Sequence, residues 1–165
     1  MTQTFLRPSG YLNFVTLLVA SAGVLLALNN SNAQRRATGQ TASDESPLFQ
    51  AYRGIQLGME ADEVRKKLGD PKDKGDEQDF FVFNDTETAQ IVYDKMHKVV
   101  TISADFLAPG TDVPTAKQVF GSEVEAKSDG SIYKMVRFTK AGYWLSYNRT
   151  SGASPLITVT LQKIQ

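Results

Sequence analysis

Between residues 48 and 107 the apolar positions change period twice. Phe49, Tyr52, Ile55 and Leu57 form a short irregular block. Gly58 parts it from a stretch in which Ala61, Val64 and Leu68 share one helical face. Asp62 and Glu63 lie in the first turn of that stretch, at the positive end of a helix dipole, and Lys66 and Lys67 lie in the last turn. Gly69, followed by Asp70 and Pro71, predicts the stop, with Gly69 as a left-handed cap. After a charged loop over residues 72–79 the period shortens. Strands are predicted at residues 80–83, 89–94 and 99–106, with turns at 84–88 and 95–98. In the third, Val100, Ile102, Ala104 and Phe106 alternate with Thr101, Ser103 and Asp105, as in a half-buried strand.

The pattern restarts after Ala108, Pro109, Gly110 and Thr111. Asp112, Val113 and Pro114 predict the opening of a short helix, because proline is tolerated in a first turn. Ala116, Val119 and Phe120 give it an apolar face, and Gly121 ends it. Strands are predicted at residues 132–138, 143–147 and 156–164. In the last, Ile157, Val159 and Leu161 face one way and Thr158, Thr160 and Gln162 the other. Helix and three strands thus occur twice with little identity between copies. The expected fold is α+β: two tandem helix-plus-three-stranded antiparallel β units, residues 48–107 and 108–165, behind an N-terminal apolar helix, with their sheets either separate or forming one continuous antiparallel surface.

The segment ahead of these units supplies an address. Residues 8–34 carry no charge, residues 11–28 are largely apolar, and Ser31, Asn32 and Ala33 offer small residues at a cleavage site. Residues 1–33 are read as a secretory signal cut after Ala33, or as a retained membrane anchor, since eighteen apolar residues can just cross a bilayer. Arg35 and Arg36 directly after the cut keep the second reading open. Residues 34–47 are polar and read as a disordered linker. Either way the chain is expected to be exported, to the periplasm or cell envelope. Among its 165 residues there is no cysteine, which points to a bacterial envelope and excludes a lipidated cysteine, a thiolate zinc site and a cysteine nucleophile. Lys plus Arg and Asp plus Glu balance at 18 each, so nucleic acid is not an expected partner.

Gly54, Ile55, Gly58, Met59, Asp62, Glu63, Val64, Leu68, Gly69, Asp70 and Pro71, followed by a strand trio, resemble the SmpA/OmlA (BamE-like) envelope domain. They also resemble the β-lactamase inhibitory proteins, which use that unit in tandem. The likeness covers roughly residues 52–106; the second half follows it only in element order. Gly58, Met59, Val64, Leu68, Gly69 and Pro71 match family positions that are structural. Family members of the outer-membrane assembly machinery are lipoproteins, and this chain lacks the cysteine that would carry the lipid. The resemblance therefore implies a soluble or helix-anchored protein-binding module more than an assembly factor.

Chemistry-bearing residues are sparse. His97 is the one histidine, set in a turn between lysines, and no second histidine can join it on a metal. Ser103 and Ser146 have no base at hand, and nucleophile-elbow, phosphate-loop and dinucleotide motifs are missing. Asp70, Asp73, Asp76, Glu77 and Asp79 lack the alternating spacing of a calcium loop and read as a solvated loop. Neither metal nor cofactor is expected. Tyr133, Tyr143, Trp144 and Tyr147 are the partner-binding candidates, since such rings make rigid contact area with a polar handle. Alternation sets Trp144 opposite Tyr143, Leu145 and Tyr147, and one of those faces must be core. The expected function is non-enzymatic binding of a protein or peptide on the sheet. The alternatives are a structural or outer-membrane assembly factor, and an enzyme with an unrecognised site.

Overall fold

A computed structural model of the chain describes residues 40–42 and 47–164. The elements are β1 (Gln40–Ala42), α1 (Ala61–Leu68), β2 (Asp73–Lys74), β3 (Gln78–Asn84), β4 (Glu87–Tyr93), β5 (Val99–Leu107), α2 (Ala116–Phe120), β6 (Ile132–Phe138), β7 (Tyr143–Arg149) and β8 (Leu156–Lys163). They build one sheet in the order β1-β6-β7-β8-β5-β4-β3-β2. Strands β2 to β8 are antiparallel throughout, and β1 joins the edge strand β6 in parallel.

The expectation of two tandem helix-plus-three-strand units is overturned. Four strands, not three, follow α1, and β5 pairs with β8 from Thr101↔Gln162 to Leu107↔Leu156. Left apart, β5 and β8 would each be an edge with unpaired N–H and C=O groups; pairing them satisfies both rows. The helices are too short to cover separate sheets. The eight residues of α1 bury Ala61 and Val64, and the five of α2 bury Ala116 and Val119. All four side chains join one apolar cluster with Phe81, Ile91, Ile102, Leu145, Val159 and Leu161. The predicted N-terminal apolar segment lies outside the described residues; among those described, no helix is long and apolar enough to cross a membrane.

Local details also differ from the expectation. α2 begins at Ala116, not at residues 112–114, because Thr115 makes a capping box. Its side chain accepts from Gln118 N, while the Gln118 side chain accepts from Thr115 N. Gly69 ends α1 at φ 86°, ψ −165°, a region open essentially to glycine alone, instead of the left-handed helical region. Gly121 does take the left-handed helical conformation, at φ 77°, ψ −2°.

Candidate functional site

Alternation gives the sheet two faces. Asp79 and Phe81 of β3, Ala89 and Ile91 of β4, Ile102 and Ala104 of β5, and their counterparts on β6 to β8 lie under the helices and are buried. No residue of the opposite face belongs to the apolar cluster.

Two charged clamps hold the covered face of the first strands. At one end the Asp79 carboxylate, 0% exposed, accepts from Arg65 Nε (2.8 Å) and Nη2 (3.1 Å), Tyr93 Oη (2.7 Å) and Gly75 N (3.2 Å). Burial alone would raise this carboxyl; the hydrogen bonds from Arg65, Tyr93 and Gly75 outweigh burial and hold it below the usual aspartate range. At the other end Glu87 accepts from Arg53 Nε (2.9 Å) and Nη2 (2.6 Å) and from Tyr52 Oη (2.7 Å). Arg53 lowers its carboxyl, against burial and with help from Tyr52. The Arg53 guanidinium also lies 4.3 Å from the centre of the Phe83 ring. Every acceptor here is engaged, so these clamps fasten α1 and the chain before it to the β3–β4 hairpin. Asp79 thus leaves the acidic loop in which its sequence neighbours placed it, and Glu87 leaves its turn: both are buried strand residues.

The opposite face has three zones. Along β5 and β8 it is polar and self-satisfied: Ser103 and Thr160 share a hydrogen bond of 3.0 Å, and Thr158 Oγ1 donates to Asp105 at 2.6 Å. On β3, Phe80 and Val82 are exposed, and Gln90 Nε2 donates to Gln78 at 2.8 Å. On β6 and β7, Arg137 pairs in register with Trp144 and Met135 with Ser146, while Tyr133, 52% exposed, faces Asn148. The Arg137 guanidinium makes no hydrogen bond or ion pair within the described residues.

The four aromatic candidates therefore separate. Tyr147 is core, 3% exposed, with its hydroxyl donating to Pro114 O at 3.2 Å. Tyr143 is also on the covered face, packed on Phe138 with ring centres 5.7 Å apart. Trp144, half-buried, and Tyr133 share the open face. The motif residues Val64 and Leu68 pack on the core, as does Met59, whose backbone O accepts from Val99 N at 2.9 Å; Gly58 N donates to Val99 O at 2.8 Å. Pro71 lies between α1 and β2. Arg137 was missed because a lone arginine in a strand carries no motif; its register with Trp144 is what marks it.

His97 sits at φ 56° in the turn before β5 and is exposed. It borders shallow clefts of about 310 and 540 Å³ that Asp76 also lines. Its ring bonds to no carboxylate within the described residues, and Asp94 beside it already accepts from Met96 N (2.8 Å) and Lys98 N (3.0 Å). Among the described residues no three His, Asp or Glu side chains come together as a metal site. No protein-family profile matches the chain, and neither does any curated protein or solved structure.

Proposed function

We propose that this chain is an exported, non-enzymatic module of a bacterial cell envelope that binds a protein or peptide on the open face of its sheet. One observation carries the reading. Tyr133, Arg137 and Trp144 come from adjacent strands, lie on one face and stand outside the apolar cluster, and the guanidinium has no partner within the described residues. Tyrosine, tryptophan and arginine are the residues in which binding energy concentrates at protein interfaces. Across β8 and β5, Thr160 is bonded to Ser103 and Thr158 donates to Asp105, a rim that adds little attraction of its own. The address rests on the uncharged apolar segment ahead of the domain and on the likeness of residues 52–106 to SmpA/OmlA domains.

Affinity capture from the envelope of the producing cell, with mass spectrometry, tests the reading. The wild-type chain is expected to retain a specific protein that a Tyr133→Ala, Arg137→Ala, Trp144→Ala triple variant loses while its circular dichroism spectrum is unchanged. Recovery of the same protein by the folded triple variant sinks the open-face reading.

A further inference from the structure

On the covered side of the sheet, away from Trp144, a cleft of about 410 Å³ opens between the loop before α1 and the β6–β7 turn. Gln56 and Leu57 line it from the loop, Ala141 from the turn, and Tyr143, Leu161 and Lys163 from β7 and β8. Its size falls within the ligand-pocket range of roughly 300–1,000 Å³. Tyr143 and Lys163 are direct cross-strand neighbours, so both side chains leave the sheet on one face.

Among the described residues the Tyr143 hydroxyl makes no hydrogen bond and the Lys163 ammonium no ion pair. Asp94 feels the Lys163 charge, but its carboxylate already accepts the Met96 and Lys98 N–H groups. Among the described residues no carboxylate lines the cleft. Burial pushes the Tyr143 phenol above its ordinary pKa, so it is a protonated donor at neutral pH. Two donors, one of them cationic, stand beside the apolar side chains of Leu57 and Ala141. One ammonium matches one negative charge, and the hydroxyl can serve a second oxygen of the same group.

We propose that this cleft binds a carboxylate carried on a small aliphatic group, with Lys163 and Tyr143 as its donors. A free organic acid and the C-terminal residue of a peptide share that chemistry.

Calorimetric titration of the full chain distinguishes them, with N-acetylleucine, its amide, and Ala-Ala-Leu with a free carboxylate as probes. At least one acid is expected to bind, the amide not. Affinity should fall about tenfold in Lys163→Gln and in Tyr143→Phe, and hold in Lys66→Gln, a lysine outside the cleft. Tyr143→Phe keeps the ring that packs on Phe138, so a loss there reports the hydroxyl and not the fold. Binding of the tripeptide alone assigns the site to peptide termini; binding of both acids assigns it to small carboxylates. Equal binding of acid and amide, unchanged affinity in Lys163→Gln, or no binding of either acid at millimolar concentration overturns the proposal.

Discussion

Residues 52–107 and residues 108–164 contribute adjoining parts of one sheet, yet they use their charged residues in opposite ways. In the first part Arg53 and Arg65 each grip a buried carboxylate that a tyrosine also grips, and both lie against the helix side. In the second, Arg149 reaches the Gly130 carbonyl at 3.1 Å, Lys134 lies over the Phe120 ring, and Arg137 stands on the open face beside Trp144. Asp79 and Glu87 are the buried charged residues among those described, and both belong to the first part. A buried ion pair is a demanding way to hold a hairpin, because desolvation nearly cancels the attraction while losing one partner leaves an uncompensated buried charge. The second part relies on apolar burial and a helix cap, and its Arg137 makes no hydrogen bond or ion pair within the described residues.

The contrast breaks most sharply at Arg65. Arg65→Leu strands a desolvated carboxylate and should destabilise the protein by about 3–5 kcal/mol in denaturant melts. The deficit should shrink on acidification, since protonating Asp79 removes the unpaired charge. The wild type should behave in the opposite sense. Asp79 and Glu87 have folded pKa values below their unfolded ones, so their contribution is complete above the ordinary carboxylate range, about pH 4, and is lost as pH falls through the folded values. Thermal melts between pH 7 and pH 2 check both statements. Gly69→Val places a β-branched residue in a glycine-only conformation and should cost about 1–3 kcal/mol. Thr115→Ala, in the second part, removes only a cap and should cost about 1 kcal/mol. An equal loss at Arg65 and Thr115 would erase the distinction between the two parts.

Strands were the legible elements, because alternation over β5, β6 and β8 is long enough to be unambiguous. One continuous sheet was an open option, but the β5–β8 seam that makes it was not legible, since a polar–apolar pattern says which face is buried and not which strand lies alongside. Asp79 and Glu87 read as loop and turn because carboxylates are rarely buried, and their arginines lie 14 and 34 residues away in sequence. The two-residue β2 is charged and too short to show a period. The start of α2 was readable: Thr115 and Gln118 have capping-box spacing, and Pro114 drew the boundary too early. For the aromatic set, alternation separated Trp144 from Tyr143 and Tyr147 without saying which side the helices cover.

The central claim is that Trp144 belongs to a binding face and not to the core, and one variant measures it. Trp144→Ala should stay folded, losing about 1–2 kcal/mol against the 3–5 kcal/mol expected for a core tryptophan, while its affinity for the captured partner falls about thirtyfold or more. A folded Trp144→Ala that keeps wild-type affinity, or one that unfolds outright, would contradict the account.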